Sequence, residues 1–295
     1  MRRKFLISLL ALLILIAVSA CASGLTDSNE GRFSVTVSVL PEKYFVERIG
    51  GELVSVNVMV GPGDSPHTYE PKPEQMAALS RSVIYFSIGV EFEGAWMDKI
   101  ASANPKMRIV NLSDGIRKIQ VAESINSIPQ SDGQGEPDPH VWTSPALVKD
   151  MAQKIFEEIS NLDPNNRMIY QSNLDNFLFD IDQLEKDIHA SLDGLKEKRF
   201  LVFHPSWGYF AEEFGFEEIA IEIGGTEPSA SELAAIIDTG KKEQIRVVFA
   251  QPEFSTQIAE YIANEIGGEV VLISPLAENW LENLRQVSQT FSKLL

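Results

Sequence analysis

The feature that most constrains this chain is a long helical repeat in its middle. From Asp163-Pro164 onward no glycine or proline intervenes until Gly194. Leu174, Phe177, Leu178, Ile181, Leu184, Ile188, Leu192 and Leu195 step along it by three and four, the spacing that puts side chains on one face of an α-helix. Asp163 and Pro164 supply an N-cap and a first-turn proline. A helix of roughly 30 residues is about 45 Å long, beyond what one globular layer needs and enough to join two bodies.

On both sides of this stretch, short runs rich in β-branched residues alternate with helical patterns. Before it, Phe33–Val39, Leu53–Val60, Val83–Ile88 and Met107–Val110 read as strands. After it, Phe200–Phe203, Glu218–Ile223, Arg246–Ala250 and Glu269–Ile273 do. Such alternation implies mostly parallel sheets flanked by helices. The expected fold class is α/β: two lobes, each with a mostly parallel sheet, joined by one long rigid linker helix. The chain divides into 33–163 as an N-terminal lobe, 164–195 as the linker and 196–295 as a C-terminal lobe. Two cores suit a mature chain of roughly 270 residues. No close sequence repeat relates the lobes. Ser113 to Pro139 is polar and rich in Gly, Ser, Gln and acidic residues, and reads as an exposed, mobile loop. The four tryptophans, Trp96, Trp142, Trp207 and Trp280, are widely spread and are expected at lobe surfaces or a cleft rim.

The first residues read as an address. Arg2, Arg3 and Lys4 precede an apolar run from Phe5 to Val18, followed by Val18-Ser19-Ala20-Cys21. This is the pattern of a secretory signal over 1–20, and the run is shorter than the roughly 20 residues a spanning helix requires. Cys21 is the single cysteine, so an intrachain disulfide is excluded. Its position after two small residues resembles a bacterial lipobox. That implies a lipidated mature N-terminus, a polar tether over 21–32, and a protein anchored to the outer face of the cytoplasmic membrane. The formal charge of -17 becomes three more negative when Arg2, Arg3 and Lys4 are removed. That disfavours a nucleic-acid partner, which calls for basic surface, and is compatible with attraction of cations.

Chemistry concentrates at histidines, of which there are four. His67 lies in Gly61-Pro62-Gly63-Asp64-Ser65-Pro66-His67, just past the second strand. His140 sits in Asp138-Pro139-His140-Val141-Trp142, and His204 ends a strand in Phe203-His204-Pro205-Ser206-Trp207-Gly208. Ligands of open parallel sheets bind beyond the carboxyl ends of the strands. Facing lobes would therefore bring these imidazoles into one cleft, where three neutral nitrogens suit a d¹⁰ cation such as Zn²⁺. His189 lies inside the long helix and is assigned no role.

These segments carry a resemblance. The chain resembles the zinc/manganese ABC-transporter solute-binding proteins, the TroA-like or ZnuA-like group, from about Phe33 to the C-terminus. Gly61 to Pro73, Asp138 to Trp142 and Phe203 to Phe214 match the family's three metal loops, so His67, His140 and His204 resemble its ligands. Glu227-Pro228-Ser229 and Phe249-Ala250-Gln251-Pro252 resemble further landmarks. The resemblance implies two lobes on a rigid helix, capture of a divalent cation between them, and delivery to a permease served by a separate ATPase. The chain itself has no G-x-x-x-x-G-K-[ST] loop. A monomer that is not an enzyme is expected.

One departure bears on the metal. Many relatives carry an aspartate ligand in Asp-Pro-Leu after the last strand; here the run is Ser274-Pro275-Leu276. Three histidines plus water, or a nearby carboxylate such as Glu70, are the alternatives this leaves. Relatives that favour manganese tend to have a carboxylate where His204 stands, so the softer site favours zinc over Mn²⁺. Binding is expected to weaken below a pH of about 6.5, the free-histidine value. Three histidines plus water also describes a catalytic zinc site, with Glu70 the best candidate base of a zinc-dependent hydrolase. A metal-binding surface adhesin on the same scaffold is a further alternative.

Overall fold

The computed structural model describes residues 32–122, 137–222 and 228–295. The signal, Cys21, most of the tether, the middle of the polar loop and Glu227 lie outside these residues.

The first lobe runs β1 (Phe33–Val37), α1 (Leu40–Gly50), β2 (Val54–Val58), α2 (Pro73–Leu79), β3 (Ile84–Ser87), α3 (Glu91–Ala103), β4 (Arg108–Asn111) and α4 (Pro145–Leu162). Then comes the long helix α5 (Arg167–Leu192). The second lobe follows as β5 (Arg199–Val202), α6 (Gly208–Phe214), β6 (Glu217–Ala220), α7 (Ala230–Lys242), β7 (Val247–Ala250), α8 (Gln257–Ile266), β8 (Glu269–Leu272) and α9 (Trp280–Leu294). Each sheet has four parallel strands, in the orders β2-β1-β3-β4 and β6-β5-β7-β8. The two orders are the same arrangement, a repeat of topology that the sequence does not display as similarity.

The linker forms as its periodicity dictates. Tyr170, Leu174, Phe177, Ile181, Leu184, Ile188 and Leu192 are its buried residues. Its 26 residues span about 39 Å. The start differs in detail from the sequence reading. A 3₁₀ turn over Pro164–Asn166 precedes the helix, and no side chain caps its amides. Asp163 instead accepts side-chain hydrogen bonds from Asn166 Nδ2 and the Tyr170 hydroxyl, both at 2.7 Å. Ion pairs tie the exposed flank of α5 to three neighbours: Arg48 on α1 to Asp180 at 2.7 Å, Lys149 on α4 to Asp182 at 2.6 Å, and Arg285 on α9 to Asp187 at 3.3 Å.

Apolar packing departs from the expectation of one core per lobe. One continuous cluster includes Val37, Phe45 and Phe86 of the first lobe, the buried face of α5, and Phe200, Phe249 and Phe291 of the second. The helix α9 makes this possible: Trp280 packs edge-on against Phe45 of α1, with ring centroids 5.1 Å apart. A separate cluster, including Leu201, Ile236, Val248 and Ile262, lies in the second lobe against α7 and α8. Trp142, Trp207 and Trp280 are fully buried, deeper than the lobe surfaces or cleft rim where they were expected. Each indole offers a large apolar area, and two of them use their N–H across the lobes. Trp142 Nε1 donates to the Pro275 carbonyl at 2.8 Å, and Trp280 Nε1 to the Trp142 carbonyl at 2.7 Å.

Candidate metal centre

The loops beyond the carboxyl ends of the strands meet between the lobes. The loop after β2 brings His67, the segment between β4 and α4 brings His140, and the turn after β5 brings His204. All three line one small cavity. The His67 and His204 rings are 4.5 Å apart between centroids and the His140 and His204 rings 5.4 Å. His67 Nε2 and His204 Nε2 are 3.0 Å apart. Zn–N bonds of about 2.0–2.1 Å at a tetrahedral centre set nitrogens ~3.3 Å apart, so a few tenths of an ångström separate this spacing from a zinc edge. Among the described residues no group of three or more His, Cys, Asp or Glu side chains is placed to hold a metal ion as the side chains stand.

A carboxylate faces the far nitrogen of every ring. Asp138 Oδ1 lies 2.7 Å from His140 Nδ1, Glu222 Oε2 2.9 Å from His204 Nδ1, and Glu91 Oε1 3.2 Å from His67 Nδ1. A carboxylate accepting from Nδ1–H fixes the tautomer and leaves the Nε2 lone pair for a ligand, the arrangement common behind metal-bound imidazoles. The rings of His140 and His204 are buried along with their carboxylates, whereas His67 and Glu91 are partly exposed. The sequence reading missed all three carboxylates. Asp138 was within reach, two residues before His140; Glu222 and Glu91 follow β6 and β3, so the strand-end rule that located the histidines applies to them too.

Further contacts lock the scaffold. Gln251, after β7, donates from Nε2 to the His204 carbonyl at 2.5 Å and to Ser206 Oγ at 2.9 Å. Phe254 stacks on the His204 imidazole with centroids 5.0 Å apart and planes 29° apart. The Tyr209 hydroxyl donates to the Asp138 carbonyl at 3.1 Å; burial pushes that phenol up to about 12. Beneath His204, Glu218 accepts from the amides of Ser206 at 3.1 Å and Trp207 at 2.9 Å. Burial, and then the negative charge of Asp138, push the Glu218 carboxyl up to about 8 despite those bonds. It therefore carries its proton at neutral pH and adds no charge beside Asp138. Lys118 feels Asp138 and Glu93, yet burial dominates and lowers its pKa.

Glu70 is exposed and is absent from the cavity wall. Ser274 directs its hydroxyl to Glu253 Oε1 at 2.9 Å. His189 packs edge-on against Phe214 at 5.0 Å, on a part of α5 remote from the cavity in sequence and in contacts.

Two parallel α/β lobes on one helix, with imidazoles from both converging in the cleft, define a two-lobed solute-binding protein. Comparison with known proteins narrows the class. The chain belongs to the ZnuA family: the family model described as "Zinc-uptake complex component A periplasmic" matches residues 35–294. It is similar to the high-affinity zinc uptake system protein ZnuA of Bacillus subtilis, 26% identical over 282 residues, covering 92% of this chain and 87% of that protein. It is equally similar to the manganese-binding lipoprotein MntA of Halalkalibacterium halodurans, 26% identical with 98% of both chains covered. A crystal structure of a ZnuA superposes with a TM-score of 0.82 at 42% identity, covering 89% of this chain and 99% of that one.

Proposed function

We propose that this protein is the extracytoplasmic solute-binding component of an ABC transporter, capturing one Zn²⁺ between His67, His140 and His204 and delivering it to the permease and its separate ATPase. The observation that carries the reading is the convergence of three imidazoles from two lobes, each with its Nδ1 engaged by a carboxylate. Relatives named for zinc and for manganese are equally similar in identity, so the metal is argued from the donors. Three neutral nitrogen ligands suit zinc better than manganese, which favours carboxylate and water. The chain acts as a monomer held to the membrane through lipidated Cys21, a reading supported by relatives named as lipoproteins.

Titration of the mature protein against a competing chelator tests this. One zinc per chain is expected, with Mn²⁺ at least about 100-fold weaker. H67A, H140A and H204A should each lower zinc affinity by about 100-fold or more, and H189A should not. Equal affinity of all four variants would refute the site. Delivery is tested by growth under zinc chelation in a strain lacking the gene, which the parent chain should restore and H204A should not.

A further inference from the structure

The first lobe ends in an exposed apolar pole on the side away from the histidines. Its four strands are parallel, so β1, β2, β3 and β4 all start at this end and point toward the cleft. Helix α4 runs back from the cleft, and the ion pair of Arg108 with Glu158 at 2.7 Å ties its later turns to the start of β4. The turn from α4 into α5 therefore lies at the same end. Of the eight large apolar side chains exposed among the described residues, five are here: Val83, Ile109, Leu162, Met168 and Ile169. Met168, 80% exposed, is the most exposed of the eight. The other three, Phe179, Tyr261 and Leu272, are scattered over α5, α8 and β8. Single exposed apolar residues need no explanation, but a group gathered at one end marks a contact surface.

The corner is held in shape. Asp163 accepts from Asn166 and from the Tyr170 hydroxyl, and Tyr170 is buried, which turns Met168 and Ile169 outward by the period of the helix. Arg32, Arg81, Lys106, Arg108 and Arg167 are exposed around them. Against these stand Glu52, Glu157, Glu158 and Asp163, of which Glu158 is engaged by Arg108 and Asp163 is turned to its own loop. The pole thus lacks the acidity of a chain whose formal charge is -17. Apolar side chains ringed by long basic ones suit a lipid headgroup layer, where the former enter and the latter stay at the phosphates. The chain also enters the fold here. Arg32 directly precedes β1, 11 residues after Cys21, a span of at most about 40 Å.

We propose, on the reading that Cys21 carries a lipid anchor, that this pole docks on the anionic bilayer surface to which that anchor holds the chain. Met168, Ile169 and Leu162 enter the headgroup layer, and the basic side chains meet lipid phosphates. The cleft lies at the far ends of the strands, so docking by this pole keeps the three histidines off the surface while they load.

The test uses the lipidated chain in vesicles of phosphatidylcholine with phosphatidylglycerol. With Cys21 blocked by lipid, an environment-sensitive fluorophore can be placed at M168C, or at L272C as a control. The label at 168 should shift to the blue and be quenched from the lipid phase, and the label at 272 should not. The soluble chain from Ala22 onward should partition onto the same vesicles. The double variant M168D/I169D should cut that partition about tenfold, with zinc affinity and melting temperature as in the parent. A lipid-modified Cys21 with an aqueous label at 168, or equal partition of parent and variant, would overturn the docking and leave the anchor standing. A blue shift that instead follows protein concentration without vesicles would assign the pole to a second copy of this chain and overturn it too. Mass spectrometry showing Cys21 unmodified would remove the anchor, and this proposal with it.

Discussion

At the scale of single residues, the site is built as much by its supporting carboxylates as by its imidazoles. Asp138 binds both the amide and the ring of His140, at 2.8 and 2.7 Å, so D138N should cost zinc affinity about 10–100-fold, as should E222Q, read by chelator competition. Glu218 makes a different prediction. Its carboxyl is raised from 4.5 to about 8 in the folded chain, so the folded state holds a proton that the unfolded state releases in between. The stability this confers is complete below about pH 4.5 and is lost as pH rises through about 8, a change on the order of 3–5 kcal/mol. Urea denaturation at pH 5 and pH 9 should show E218Q losing less stability with pH than the parent. Glu42 and Glu93, buried near each other and raised mainly by burial, act in the same direction and leave a residual slope in E218Q. The histidines were legible in the sequence because glycine and proline bracket them at strand ends. Glu91 and Glu222 were not, because glutamates are common and only the meeting of separate loops sets these two apart.

At the scale of elements, most boundaries were legible because punctuation and periodicity agree. Pro145 opens α4 behind Ser144, whose hydroxyl accepts from the Leu147 amide at 3.2 Å. Helix α3 begins at Glu91, and a buried acid organises its start. Glu93 accepts from the amides of Ile88 at 3.0 Å and Gly89 at 2.8 Å, organising the first turn from within, where a polar residue in the sequence looks like loop. The α8–β8 turn shows a tighter constraint. Gly267 takes φ 71°, and a Cβ on Gly268 would sit 2.2 Å from the Arg246 carbonyl oxygen. G268A must therefore push β8 from β7, and should destabilise the protein by about 1–3 kcal/mol, measured by thermal melting. Capping gives a gentler effect: Ser229 accepts from the Glu232 amide at the start of α7, and S229A should cost about 1 kcal/mol.

At the scale of the whole molecule, one apolar cluster runs through both lobes, stitched by the Trp142 and Trp280 hydrogen bonds. Unfolding should be a single calorimetric transition rather than one per lobe. A cation bound only by the folded chain should shift that transition as a unit, adding about 4 kcal/mol at a free concentration of 1,000 times Kd. Small-angle scattering with and without zinc should give the same radius of gyration. The two-body layout was legible from the long helix; the fused interior was not, since Phe45, Trp142 and Trp280 lie far apart along the chain and nothing local links them.

The two indole hydrogen bonds that join the lobes carry a last consequence. Halves that share one apolar interior lack a soft joint, so the cavity between them is not expected to open by the lobes swinging apart. An ion held there would be expected to leave past the rim, where His67 is the most solvent-accessible of the three imidazoles. Whatever unloads this molecule would do so most easily by tugging at that loop, leaving the rest of the body unmoved.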